Sequence, residues 1–350
     1  MPSAPRPQPF HPARPHVLRP MRTDPTGRRG PTPNQAPGRA WRQTTRGRFL
    51  PADLPVSVEQ RIADASMALP AYGGVTGWAA LRWMGAGHFD GAAPDGSARP
   101  VVLAVLHRAV REQRGLEVSS ERLAPETLTV VDGLRVTTAV RSVCFEMRYA
   151  AGVRAATIAL DMAAAADLVS IAEVQAYADT CNGWTGIPQA RAAIGLASEN
   201  SWSPMEVEMR LVWELDAGVP TPAMNQPVFD RSGRHLGTPD LLDVEAGVVG
   251  EYDGALHLER RRRTRDITRE HAFRAVGLEY FTMTAADRID PLRTIVPRML
   301  HTRARATFER AEERAWTVDP PPWWTPTTTV ERRRRLSDDD RRRLLRPQAG

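Results

Sequence analysis

The run Val248-Val249-Gly250-Glu251-Tyr252-Asp253-Gly254 constrains this chain more than any other stretch, because an apolar strand that ends on two closely spaced acids needs something to receive them. Upstream, Leu241 and Leu242 follow Asp240, and Ala246-Gly247 breaks the apolar pattern before Val248. Residues 237–257 therefore read as two short strands around a turn. Residues two apart in a strand project from one face, so Glu251 and Asp253 point the same way. On an antiparallel neighbour, Asp240 reaches the same corner. Three carboxylates there repel one another unless a cation lies between them, and a hard divalent ion such as Mg2+ (or Mn2+) meets that need. Singly, each acid is explained as a solvated or capping side chain, and Asp253-Gly254 is a common turn pair.

The flanks supply an order of elements. Ser203-Pro204-Met205-Glu206 has the N-cap, first-turn Pro and third-position acid of a helix start, followed by Met205, Met209, Val212 and Leu215 at helical spacing. Gly218-Val219-Pro220 stops that helix. Strands are expected over Ala223–Asp230 and His235–Asp243, then the Glu251 strand. A basic loop at Arg260, Arg261, Arg262 and Arg263 leads into a helix closed by Gly277, and Leu278–Met283 reads as a last strand. The order is αβββαβ, within an α+β or α/β fold class.

With Pro239-Asp240, then Glu251-x-Asp253-Gly254 and His257, this order resembles the PD-(D/E)xK nuclease superfamily, and within it the very-short-patch-repair-like (Vsr-like) endonuclease domains. That group carries a similar EYDG..H signature followed by a D..R pair, matched by Asp266 and Arg269. The likeness covers about 201–300 and implies a restriction-endonuclease-like core and a metal-dependent phosphodiesterase. It implies that Asp240 and Glu251 hold Mg2+ (or Mn2+), with Glu206 as a further acid. The chain contains no Lys, and Asp253 stands where much of the superfamily places one. Handling of the attacking water then falls to Asp253 or His257. Phe281-Thr282-Met283 also lacks an Arg that relatives often place on the last strand. Arg260 to Arg263 and Arg269 are the candidate phosphate contacts. Helix capping accounts for Glu206 equally well, and a solvated helix start accounts for the Arg run.

The formal net charge of +6 is unevenly spread. Residues 1–48 hold ten Arg and one Asp, and residues 331–350 hold eight Arg against four acids, so the body between them is net acidic. The first 48 residues, rich in Pro and Arg, are expected to be disordered, either as a nucleic-acid arm or as coding sequence read from an upstream start. Residues 303–350 are expected to form a charged helical tail, with Trp323-Trp324 available to dock. Cys144 and Cys181 lack metal-ligand spacing and fit buried thiols. No apolar run reaches the length of a membrane span and no signal-peptide core is evident, so a cytoplasmic location is expected.

Residues 49–199 are expected to be mainly helical with a small β region. Ser57 to Gln60 is a capping box, Gly77–Met84 a second helix, and Val101–Leu106 a strand. Asp132-Gly133 marks a hairpin between 127–131 and 134–137. Further helices cover 138–151, 153–166, 170–180 and 187–197. The Gly47–Pro51 entry (GRFLP) and the Arg135-Val136-Thr137-Thr138 turn into Arg141 resemble AbiEi-type antitoxin proteins of abortive-infection systems over 47–198. Two function classes follow. One is a Mg2+-dependent endonuclease acting on DNA in phage defence or repair. The other is a non-catalytic, DNA-binding antitoxin or regulator with a toxin partner.

Overall fold

The structure, a computed structural model, describes residues 5–106, 110–254 and 269–345. The chain is a mixed α+β protein in two compact units, Met1–Tyr149 with Ala176–Thr185, and Ala150–Gln175 with Gly186–Gly350. Among the described residues no helix is long and apolar enough to cross a membrane.

In the first unit, β1 (Pro9–His11) pairs with β2 (Arg14–Leu18), and β3 (Trp41–Thr45) with β4 (Arg48–Pro51). Next come α1 (Val58–Ser66), β5 (Gly73–Thr76), α2 (Gly77–Trp83), β6 (Val101–Val105), β7 (Leu116–Ser119), β8 (Leu128–Val131), β9 (Leu134–Thr137) and α3 (Ala139–Tyr149). Five strands form one sheet in the order β7-β6-β5-β9-β8, so this region holds more sheet than its sequence suggested. The Asp132-Gly133 hairpin forms as expected. Ser57 caps α1 by accepting the Gln60 N–H at 3.1 Å, but the Gln60 side chain does not close a capping box. It bonds both backbone groups of Leu18, at 2.7 and 2.8 Å.

That contact helps explain why the Pro- and Arg-rich start is structured where composition predicted disorder. Phe10 and Val17 are buried. Phe10 meets Trp83 edge-on at 5.5 Å, and the Arg14 guanidinium lies 4.1 Å over the same Trp83 ring while bonding Asp132 at 2.8 Å. A segment too poor in apolar residues to build a core can still add its few to a core formed by later residues.

The second unit opens with α4 (Val153–Ala165) and the start of α5 (Ile171–Thr180), then α6 (Ile187–Ile194) and α7 (Pro204–Leu211), which continues as a π-helical turn over Val212–Asp216. β10 (Ala223–Met224), β11 (Val228–Asp230), β12 (His235–Gly237), β13 (Leu241–Asp243) and β14 (Val248–Asp253) follow. A helix over 269–275, α8, precedes β15 (Glu279–Thr284), then come α9 (Ile295–Arg305), β16 (Trp316–Thr317), α10 (Val330–Arg334) and α11 (Asp338–Leu344). The main sheet has the order β10-β13-β14-β15, antiparallel except for the parallel pair β14 and β15.

Each of the two strands expected over 223–230 and 235–243 is divided between two sheets. β10 and β13 join the main sheet, whereas β11 and β12 form a second one with β16. The breaks fall at Pro227 and Pro239, which have no N–H to continue a ladder. Val248 faces a core with Met209, Trp213, Phe281, Met283 and Met299, and Val249 faces another with Phe273, Leu278 and Trp316. Thus α7 and α9 cover one face of the sheet and α8 the other. Trp323 and Trp324 pack on Phe229. The C-terminal stretch is no free tail, because Arg333 is buried and donates to Asp167 at 2.6 Å and to the carbonyls of Ala164 and Glu199 at 2.9 and 3.0 Å.

A buried ion pair ties α4 to α7. Arg210 and Asp161, 1% and 0% exposed, meet at 2.8 Å, and Asp161 also accepts from Ser201 Oγ and the Ser198 N–H, each at 2.8 Å. Arg210→Ala leaves an uncompensated buried carboxylate and is expected to cost about 3–5 kcal/mol in urea unfolding. Loss of the exposed Arg274–Glu270 pair is expected to cost about 0.5 kcal/mol or less. Burial raises the Asp161 pKa from 3.8 to about 6, so the folded chain keeps a proton there that the unfolded chain releases. This contribution to stability falls as pH rises through that window, and Asp161→Asn should remove that fall.

Candidate functional site

Strand register sets the corner. Leu241 pairs with Gly250 across β13 and β14, so the next step places Asp240 beside Glu251. On the parallel side Glu251 pairs with Thr282, and Asp253 with Thr284. Alternation puts Glu251 and Asp253 on the α8 face, with Glu251 buried and Asp253 exposed at the strand end.

The acids are engaged in different ways. Asp240 Oδ2 accepts the Tyr252 N–H at 2.7 Å, extending the ladder past the end of β13. Glu251 Oε2 accepts from Arg269 Nη2 at 2.7 Å, with side-chain exposures of 7% and 33%. Burial and the charge of Glu251 push the Tyr280 hydroxyl pKa upward. Glu206 belongs to α7, the helix that packs on the opposite face. Its Oε2 accepts the Trp202 N–H at 2.8 Å and Asn225 Nδ2 at 2.6 Å, while Ser203 Oγ accepts the Glu206 N–H at 3.2 Å. Capping accounts for the bonds to Trp202 and Ser203, with Trp202 rather than Ser203 as the amide donor to the carboxylate, while the Asn225 bond lies outside the helix start.

Among the described residues no group of three or more His, Cys, Asp or Glu is gathered that could hold a metal ion, so neither Asp240, Glu251 and Asp253 nor Asp240, Glu251 and Glu206 form the three-acid set expected. His257, Arg260, Arg261, Arg262, Arg263 and Asp266 lie outside the described residues. Arg269 is described, and its guanidinium serves Glu251.

Two residues absent from the sequence reading stand near this corner. Asn225 follows Met224, which pairs with Leu241, and it donates its N–H to Asp240 O at 3.1 Å. It is fully buried with φ +45°, and its Oδ1 has no hydrogen-bond partner among the described residues. An Asn beside a Pro-broken strand is a sequence signal for such a bend, yet nothing local links it to Glu206. Arg298, on α9, donates to Thr282 O at 2.6 Å and pairs with Asp287 at 3.2 Å. It brings a guanidinium to the end of β15, the strand that lacks its own Arg.

Hard-cation chemistry fits two carboxylates side by side with water and substrate oxygens completing the shell, which is how Mg2+ is commonly held. The Asn225 Oδ1, without a hydrogen-bond partner among the described residues, is an acceptor that could ligate a hard cation or receive a hydrogen bond from an ordered water.

Two glycines let the corner close. A Cβ on Gly237 would meet Phe273 Cζ at 2.7 Å and Arg269 Cγ at 3.1 Å, so its absence lets the Arg269 stem cross β12. A Cβ on Gly250 would lie 2.4 Å from Phe281 Cζ, the ring that stacks on Trp213 at 5.7 Å. Gly250→Ala is expected to destabilise by about 1–3 kcal/mol in chemical denaturation, and Phe281→Leu in the same chain should recover part of that loss. Additive costs would place the origin elsewhere. Comparison with family models, curated proteins and solved structures found no match to the chain.

Proposed function

We propose that the second unit is a metal-dependent endonuclease-like phosphodiesterase acting on DNA, of the PD-(D/E)xK, Vsr-like kind, working in phage defence or repair. The observation that carries this reading is the register setting Asp240 beside Glu251 where the antiparallel strands meet a parallel one. The sheet order β10-β13-β14-β15, with α7 before it and α8 between β14 and β15, supports it further. Along the chain the main-sheet elements run α7, β10, β13, β14, α8 and β15, with β11 and β12 set into the other sheet.

In this reading Asp240 and Glu251 would hold Mg2+ or Mn2+, which when bound stabilises phosphoryl charge and lowers the pKa of a water. Arg269 orients the Glu251 carboxylate through their 2.7 Å pair, and its guanidinium brings positive charge to the corner a phosphate would approach. In this reading Asp253, exposed two residues on and on the same face, would accept a proton from water. Glu206 acts through Asn225, whose backbone holds the Asp240 carbonyl, and so positions the corner.

A second reading has its own support. The 2.7 Å pairing of Arg269 with Glu251 supplies the buried carboxylate with a counter-charge from within the chain. That suits a nuclease-like domain kept for DNA or toxin binding, as in an antitoxin or regulator. Incubation of the full chain with plasmid and single-stranded DNA in Mg2+ or Mn2+ separates the two. The nuclease reading expects nicking or cutting that EDTA stops and that Asp240→Ala lowers by about a hundredfold or more, with the circular dichroism spectrum unchanged. Equal products from wild type and Asp240→Ala across substrates and metals would favour the binding protein.

A further inference from the structure

The Thr137-Thr138 turn into Arg141, singled out in the sequence, has no part in the corner just described. Thr138 stands at the N-cap of α3, where its carbonyl accepts the Ser142 N–H at 2.9 Å. Arg141 is the third residue of that 11-residue helix, and the first turn holds no acid. A helix N-terminus already carries partial positive charge, so a guanidinium there is an electrostatic misfit.

Arg141 is also only 3% exposed. Its guanidinium donates to Tyr177 Oη at 3.2 Å and lies 5.4 Å from the Trp184 ring centroid. Its Nε is buried without a partner, and among the described residues Arg141 makes no ion pair. Glu121, the acid whose charge it feels, is held by Arg148 through both terminal nitrogens. Arg148 lies over the same Trp184 ring at 4.9 Å. Two guanidinium groups therefore share one indole and one carboxylate. Arg does not lose its proton to relieve this, and a buried charge without a counter-ion is costly.

A cavity of about 460 Å³ lies alongside, lined in part by Thr138, Arg141, Tyr177 and Trp184, with the exposed Arg122 and Glu126 also bordering it. We propose that this cavity binds a small molecule through a phosphate or carboxylate group, held by the Arg141 guanidinium and the hydroxyls of Tyr177 and Thr138 at the N-terminus of α3. The ligand's oxyanion is the counter-charge that Arg141 lacks, and the helix N-terminus favours the same sign. Burial pushes the Tyr177 hydroxyl up to about 12, so it stays protonated and able to donate. This site lies wholly in the first unit and does not depend on the nuclease reading.

The test is titration of the full chain with inorganic phosphate and, separately, citrate, at an ionic strength fixed with chloride, reading the thermal midpoint and the heat of binding. The wild type should be stabilised by at least one of them, and the stronger arm identifies the head group. Tyr177→Phe and Thr138→Val, which keep the packing, should each weaken binding by about tenfold. Arg141→Met should lose the response while raising the midpoint in oxyanion-free buffer, because it removes an unpaired charge. The proposal is overturned if neither anion acts beyond the chloride control, or if Tyr177→Phe and Thr138→Val both titrate like wild type. These two variants carry the test even if Arg141→Met fails to fold.

Discussion

A carboxylate nearly sealed from water at the end of β14 must be met by positive charge, and the construction of the second unit around Glu251 follows from that need. Ionised carboxylates are not buried alone. Here Arg269 supplies the charge at 2.7 Å, and it can do so because Gly237 leaves room for its stem against β12. Asp240, one register step away, is held by the Tyr252 N–H. A divalent cation brought to this corner would meet acids that are already oriented, and a guanidinium that competes for one of them. That competition is the physical question separating a phosphodiesterase from a binding module.

The same guanidinium chemistry recurs through the molecule. The chain has no Lys, so its side-chain cations other than protonated His are planar, five-donor groups. Arg210 meets Asp161 inside the second unit, Arg333 gathers Asp167 and three carbonyls, and Arg148 takes Glu121 in a two-pronged bond in the first unit. Guanidinium tolerates such burial because its fork satisfies several acceptors at once. Arg141 departs from that pattern, with one phenol oxygen, one indole face and no acid.

Much of this was legible in the sequence where a local rule was enough. Ser203 with Pro204 fixed a helix start, Asp132-Gly133 fixed a hairpin, and the alternation of β14 placed Glu251 and Asp253 on one face. Other features depend on partners far along the chain, which no local pattern reveals. Phe10 and Val17 are buried by residues that follow them, and Arg333 looks like a solvated charge until Asp167 is folded against it. β5, Gly-Gly-Val-Thr, is too short and too Gly-rich to read as a strand, yet it lies inside the five-stranded sheet. Pro227 and Pro239 carried a readable signal, since neither can sit within a central strand, and they divide what periodicity joined. Asn225 was missed because its role arises from Glu206 on one side and the Asp240 carbonyl on the other.

The account stands or falls on whether the Asp240 and Glu251 corner takes a divalent ion. Calorimetric titration of Mn2+ into the full chain, without nucleic acid, addresses this most directly. The account predicts saturable binding to the wild type, lost or strongly weakened in Glu251→Gln while that variant keeps its fold. No binding at millimolar Mn2+, or identical isotherms for wild type and Glu251→Gln, would contradict it and leave Glu251 in a structural role with Arg269.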